Sequence, residues 1–346
     1  MIIEEVLKNK NILFFSVQTF NLEKEIESKL KQLGANVDYY DERPSNNNFT
    51  KGIIRLKRNL LQIKINKYYN RILFDISNKK YDYLFVNKGE VVPEFFLIEF
   101  QKKQPQCQCI FYTWDSFSNN KNAVSILKYF HKKFSFDSDD AVKFGLEFRP
   151  LFYLDFYRSV DLISKAEINN DLLFLGTAHS DRYKISSSIA DWCDKNAIRS
   201  YCYYYMQGRL VYFYKKLFDK TFKEFDYKKL SFESLKAKDL AQLYQNSKVI
   251  LDINHPGQKG LTMRTFETLG ARRKMITTNG EVRKYKFYNP ENILIIDREN
   301  FLLNKEFFES EYKDINADLY ERMSLKGWLT CLFVKSEPNI WIEGIN

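Results

Sequence analysis

Gly260-Leu-Thr-Met-Arg-Thr-Phe-Glu-Thr-Leu-Gly270 gathers, within about three helical turns, the residue types that hold a nucleoside diphosphate. A strand-like run over 248–254 leads into it through the turn His255-Pro-Gly-Gln-Lys-Gly260. Thr262 is placed as the N-cap of a short helix, its hydroxyl taking one of the first unpaired amides. A helix that starts just beyond a strand's carboxyl end offers free N–H groups and the positive end of its dipole, and both suit a phosphate. Arg264 adds a fork of donors on the first turn. Glu267, about one turn further on, is spaced for a carboxylate to take two ribose hydroxyls. Gly260 keeps side-chain bulk from a phosphate, or supplies a positive φ, or is a plain turn glycine. With Met263, these residues form the expected donor-nucleotide cradle.

A second loop has similar chemistry. Gly176-Thr-Ala-His-Ser-Asp-Arg-Tyr-Lys184 sets small residues and then a basic pair after a strand. Arg182 and Lys184 are expected near a donor diphosphate; the alternative is an exposed helix start capped by Asp181. His179 has two uses, as a hydrogen-bonding partner of a phosphate or sugar hydroxyl or as an ordinary loop histidine. His255, in the turn before the cradle, is a candidate donor-side contact. His131 is expected to be structural.

The 248–280 block resembles the second half of GT-B-fold glycosyltransferases, in particular the spore-maturation-protein-type and lipopolysaccharide-biosynthesis-type sugar transferases, which carry a comparable Gly-Leu-Thr-Met-Arg-Thr-Phe-Glu block. Looser similarity runs through Tyr112-Thr-Trp-Asp-Ser116, Phe134-Ser-Phe-Asp-Ser-Asp-Asp140 and Leu173-Phe-Leu-Gly-Thr-Ala-His-Ser-Asp-Arg182, so that it spans residues 10 to about 300. The resemblance implies an α/β chain of two Rossmann-like domains facing a cleft, a C-terminal helix crossing back to the first domain, and Glu267 on the ribose of a nucleotide-sugar donor. It implies an acceptor hydroxyl on a bacterial surface glycan: lipopolysaccharide, O-antigen or capsule. It also implies that no metal and no cofactor is needed, because helix amides and cations balance the leaving diphosphate. One position departs from the pattern. Many retaining members carry a Glu-x7-Glu pair, and Lys259 stands where the first acid would be; neither that mechanism nor its stereochemistry carries over.

In such an enzyme an acceptor-side general base is required if transfer inverts the sugar carbon. Asp115, at the carboxyl end of a first-domain strand, is the candidate; an Asx turn or helix cap is its alternative. Trp114 beside it either stacks on a sugar or fills core. The acidic run Asp137-Ser-Asp-Asp140 precedes a helical stretch, so capping and dipole compensation explain it better than a metal site.

These residues need strands and helices to hold them. Strand-like runs at 11–17, 36–40, 82–86, 109–112 and 133–136 alternate with helical spacing at 22–33, 51–69, 93–103 and 122–131. The rhythm restarts after 155, with strands at 171–176, 199–204, 248–253, 274–278 and 293–296 and helices at 182–195, 209–225, 237–246 and 262–270. Alternation of this kind makes a parallel sheet covered on both faces. The expected domains are 1–155 for the acceptor, 156–320 for the nucleotide-sugar, and 321–346 as a returning helix. No Gly-x-Gly-x-x-Gly follows the first strand and there is no Walker loop, so a classical dinucleotide or P-loop site lacks its phosphate clamp.

The 346 residues bury a sizeable core, and Met1-Ile-Ile-Glu-Glu lacks the basic flank and apolar run of a signal peptide. Five cysteines, an odd number, do not suggest a disulfide framework. The expected location is the cytoplasm, with the cytoplasmic face of the inner membrane as its alternative. A net charge of +10 asks for an anionic partner: sugar nucleotide, anionic membrane or nucleic acid. The basic residues are spread through the chain without a nucleic-acid module, so nucleic acid is not expected. Over 209–225, Leu210, Phe213, Tyr214, Leu217, Phe218, Phe222 and Phe225 fall on one helical stripe beside Lys215, Lys216, Lys220 and Lys223. The stripe is expected to pack on the second-domain sheet, with an anionic membrane face as the alternative. Two other functions stay open: a GT-B-fold nucleotide-sugar 2-epimerase, which would use the same cradle, and a non-catalytic basic binding protein in which the cradle is degenerate.

Overall fold

Runs such as Ile-Leu-Phe-Phe and Val-Ile-Leu, apolar on consecutive residues, can be satisfied only where both faces of a strand are covered. They form the inner strands of two parallel sheets. The structure, a computed structural model, describes residues 2–162, 168–222, 225–335 and 340–342. It divides into two compact units, one built from the chain up to residue 150 plus 325–335, the other from 151–324 plus 340–342.

The first unit holds β1 (Asn11–Ser16), β2 (Asn36–Asp41), β3 (Tyr83–Asn87), β4 (Gln108–Thr113), β5 (Lys132–Ser135) and β6 (Glu147–Phe148). Their order is β2-β1-β3-β4-β5-β6, and every neighbouring pair is parallel. Leu13, Phe15, Leu84, Val86, Cys109 and Phe111 from three of these strands meet Tyr69, Phe96 and Phe100 from helices in one core cluster. Cys107 belongs to the same cluster, and both cysteines are free. His131 is structural, as expected: its Nδ1 accepts from the Cys109 amide at 2.9 Å. The expected helix over 51–69 is in fact helix Asn48–Lys57, a 3-10 turn Arg58–Leu61 and helix Gln62–Asp75. Lys57 leaves the helical basin at φ −148°, and the Arg58 guanidinium donates to the Val91 carbonyl at 3.2 Å, pinning the chain where its pitch changes.

Helix Leu325–Phe333 is part of this unit. Trp328 is fully buried, its ring 5.8 Å from Phe85 and 4.7 Å from Tyr112. Phe333 packs on Tyr83 and Phe85. The Lys132 ammonium donates to the carbonyls of Leu332, Phe333 and Val334 at the helix end, where free carbonyls and the negative dipole end favour a cation.

The second unit holds β7 (Asn170–Thr177), β8 (Ser200–Tyr205), β9 (Leu230–Ser231), β10 (Ser247–Asp252), β11 (Lys274–Thr277) and β12 (Ile293–Ile295), again all parallel, in the order β12-β11-β10-β7-β8-β9. From β7 the chain builds outward through β8 to β9, then returns to lay β10 on the other side of β7. The order reverses between β7 and β10, the point at which open α/β sheets bind ligands beyond their carboxyl ends. Helices Arg182–Lys195 and Met263–Gly270 begin there, after β7 and β10 respectively.

Gly270 closes the cradle motif for a packing reason: a Cβ there would lie 2.4 Å from Tyr153 Cγ. Its carbonyl accepts from the Tyr320 hydroxyl at 2.6 Å, and Tyr153 donates to the Tyr320 carbonyl, so the end of the cradle helix is tied to both flanks of the unit.

The stripe over 209–225 corrects the expectation from sequence. Phe222 and Phe225 are buried in the core of this unit, but Leu210, Phe213, Tyr214, Leu217 and Phe218 are exposed. The helix runs only over Arg209–Phe218. Asp219 is extended, and its carboxylate accepts from the Thr221 amide and hydroxyl, which turns the chain before Phe222. Lys223 lies outside the described residues. Among the described residues no helix is long and apolar enough to cross a membrane.

Candidate nucleotide site

The cradle is held from beneath by Asp252, the last residue of β10, which is 2% exposed. Its carboxylate accepts from the Thr262 hydroxyl at 3.0 and 2.9 Å and from the Thr265 hydroxyl at 2.7 Å. The Thr262 hydroxyl in turn accepts from the Thr265 amide at 3.3 Å, so Thr262 is the N-cap as expected. This leaves the Met263 and Arg264 amides, first in the helix, with no hydrogen-bond partner among the described residues. Gly260 is buried, but it is not among the glycines at positive φ, which are Gly34, Gly89 and Gly145. A left-handed backbone is therefore not what places a glycine there.

Arg264 turns toward Glu267. One terminal nitrogen donates to Glu267 Oε2 at 2.7 Å and to the Tyr244 hydroxyl at 2.8 Å, and the other donates to the Leu175 carbonyl at 3.3 Å. Burial works against the guanidinium charge, but Tyr244 and the Glu267 carboxylate outweigh it and hold the group well above its ordinary value. The Tyr244 hydroxyl also lies 3.4 Å from Glu267 Oε2, and Tyr157 stands edge-on to Tyr244 with ring centroids 4.9 Å apart. Burial, and then the Glu267 charge, raise the Tyr157 phenol well above its usual range, so it stays a donor. The result is a carboxylate fixed in orientation by three side chains. Arg264 in this arrangement positions Glu267.

The β7 loop brings further cations. Arg182 Nε donates to the Ile253 carbonyl at 2.9 Å, which ties the start of one helix to the end of β10. Burial lowers the Arg182 guanidinium from its ordinary value; Asp252 and Asp181 oppose that, while Arg264 and Arg298 add to it. Two arginines from distant segments, Arg264 and Arg298, therefore sit within the field of Arg182 at the switch point. Asp181 does not cap its helix with its side chain; its carboxylate accepts from Arg298 at 2.7 Å. Arg298 also donates to the Asn254 carbonyl at 2.7 Å and to Asn254 Oδ1 at 2.6 Å. His179 and His255 stand with ring centroids 6.0 Å apart. Burial, and then Arg182, Lys215 and His255, push His179 down to about 3, so its imidazole is neutral at pH 7. Lys215 reaches the same loop from helix Arg209–Phe218, donating to the Ala178 carbonyl at 3.4 Å. Lys184 is exposed on the outer side of its helix, and His255 is exposed in the turn.

Sequence reasoning missed Asp252, Tyr244, Tyr157 and Arg298. Asp252 had a signal, a charge at the end of the apolar run Val-Ile-Leu. Arg298 had none that is local, because its partners are 117 and 44 residues away.

In the first unit, Asp115 Oδ2 pairs with the Lys88 ammonium at 3.3 Å, and its Oδ1 accepts from Asn119 at 3.3 Å. Lys88 stands at φ 107° between Asp115 and Glu90, and Arg43 donates to Glu90 from the other side. Buried Glu42 accepts from the Gly89 amide at 2.8 Å and the Glu90 amide at 2.6 Å; burial, opposed by those amides, pushes its carboxyl up to about 8. Asp137 caps helix Ser138–Phe144 through the Asp139 and Asp140 amides, as expected. Among the described residues no group of three or more His, Cys, Asp or Glu side chains is gathered as metal ligands.

No family model and no curated protein matches the chain. Solved structures do. An α-glucosyltransferase in complex with UDP and a 13-mer DNA containing a central A:G mismatch superposes at a TM-score of 0.59 with 13% identity, over 95% of this chain and 96% of that one. Sucrose-phosphate synthase from Thermosynechococcus elongatus gives 0.53 with 9% identity, over 94% and 95%. A glycosyltransferase from Rickettsia africae ESF-5 gives 0.51 with 14% identity, over 94% and 95%. At these identities the likeness is one of fold, and it extends over nearly the whole of each chain. Two Rossmann-like units, each a six-stranded parallel sheet, make this a protein of the GT-B fold.

Proposed function

We propose that the chain is a nucleotide-sugar-dependent glycosyltransferase whose acceptor is a hydroxyl on a bacterial surface glycan. The observation that carries the donor half is the convergence of Arg182, Arg264 and Arg298 where the sheet order reverses, beside a helix whose first two amides have no partner among the described residues. Arg182, whose Nε rests on a backbone carbonyl, and the aligned amides suit a diphosphate, while Arg264 and Arg298 are paired with Glu267 and Asp181. UDP in the α-glucosyltransferase of like fold agrees with this. The acceptor class rests on the resemblance of the 248–280 block.

In the proposed mechanism the diphosphate lies against the Met263 and Arg264 amides, with Gly260 leaving room for it and Arg182 balancing its charge. Glu267, oriented by Arg264 and Tyr244, accepts from two ribose hydroxyls. Neutral His179 hydrogen-bonds a phosphate or sugar oxygen, and His255 and Lys184 lie on the donor side. Negative charge grows on the diphosphate as the sugar leaves, and fixed donors stabilise it without reorganising. Asp115 takes the acceptor proton. No metal enters the scheme.

The test is acceptor-dependent release of nucleoside diphosphate from UDP-, GDP- and dTDP-sugars with lipid-linked glycan as acceptor. The proposal expects release from one donor class, strictly dependent on acceptor. Isomerised sugar nucleotide without acceptor would replace it with an epimerase.

A further inference from the structure

Helix Arg209–Phe218 presents its apolar side outward. Leu210, Phe213, Tyr214, Leu217 and Phe218 recur at helical spacing and are between 56% and 86% exposed, while Tyr212 faces the core. A contiguous stripe of this kind on an isolated soluble surface is costly, and it marks a contact with something apolar. Tyr227 extends it, its ring 6.3 Å from Phe213. Exposed Arg209, Lys220, Lys228 and Lys229 flank the stripe. The nearby carboxylates of Asp219 and Asp226 accept from the Thr221 and Lys228 amides.

We infer that this face docks on an anionic lipid bilayer. Apolar and aromatic side chains in a row, bordered by cations, match the depth profile of an interface in which acyl chains lie beneath phosphate headgroups. A second copy of the chain would bring the same cations against these and be repelled. The stripe also lies on the surface of one helix, with Lys215 of that helix bonded to the Ala178 carbonyl in the β7 loop. Docking therefore brings the proposed donor site to the membrane surface, where a lipid-linked acceptor resides; that last step rests on the transferase function proposed above, whereas the surface itself does not.

The experiment is flotation with vesicles containing phosphatidylglycerol and with vesicles of phosphatidylcholine alone, at low and high salt, for the wild type and for Leu217→Ser/Phe218→Ser. The inference expects binding to anionic vesicles only, release by salt, and at least about a hundredfold weaker binding in the variant, because each large apolar side chain contributes one to two decades in affinity. The variant's thermal response to nucleotide should be unchanged. Wild-type protein that ignores anionic vesicles, or that binds them as well after the substitution, would overturn the inference. So would a wild-type dimer that the substitution converts to monomer. Vesicle binding without any nucleotide response would retain the surface and remove the transferase.

Discussion

Glu267→Ala lowers the stability of the second unit by about 3 kcal/mol, the low end of what removing one partner of a buried pair costs, and it abolishes the response to nucleotide. The two effects have different origins. Stability falls because the Arg264 guanidinium, 2.7 Å from the lost carboxylate and with only 21% of its side chain exposed, keeps just the Tyr244 hydroxyl and the Leu175 carbonyl. On the donor role proposed for Glu267, affinity falls because two charge-assisted bonds to ribose, each worth about 1.5–3 kcal/mol, are lost, a drop of a hundredfold or more. Urea unfolding reads the first effect and calorimetric titration with UDP the second. The double variant Glu267→Gln/Arg264→Met removes both charges, so it should recover most of the stability and none of the binding. If the double variant bound nucleotide normally, Glu267 would be a structural carboxylate only.

Trp328→Ala destabilises the first unit by about 3–5 kcal/mol, as expected when a buried tryptophan is truncated. The residue is fully buried against Phe85 and Tyr112, on two neighbouring strands of the first sheet, although it lies 216 residues beyond Tyr112 in sequence. Its loss should open β3 and β4 without touching β7 or β10. Amide hydrogen exchange distinguishes the units: protection should fall in Tyr83–Asn87 and Gln108–Thr113 and persist in Asn170–Thr177 and Ser247–Asp252. Loss confined to the second sheet would mean that Leu325–Phe333 belongs there instead.

The sheets were legible in the sequence because β1, β3, β4, β7 and β10 carry apolar runs bounded by helical spacing. The short edge strands β6 and β9, two residues each, left no such pattern. Thr262 was readable as a cap, since capping depends on neighbours three residues away. The orientation of Arg264 was not. Its partners Tyr244 and Leu175 come from other strands and helices, and nothing in the motif distinguishes an arginine facing a phosphate from one facing a glutamate. The stripe over 209–225 misled for a related reason: periodicity gives the face of a helix but not which side the chain buries, and one turn at Asp219 sent its two halves to opposite fates.

The central claim is that the second unit binds a nucleoside diphosphate at the open end of helix Met263–Gly270, and thermal unfolding against UDP, GDP, dTDP, ADP, CDP and CMP tests it most directly. A nucleotide at a hundred times its dissociation constant adds about 2.7 kcal/mol, enough to raise the midpoint by several degrees in a chain of this size. A rise with one nucleoside diphosphate, absent in Glu267→Ala, is the predicted result. No rise with any of the six would contradict the account.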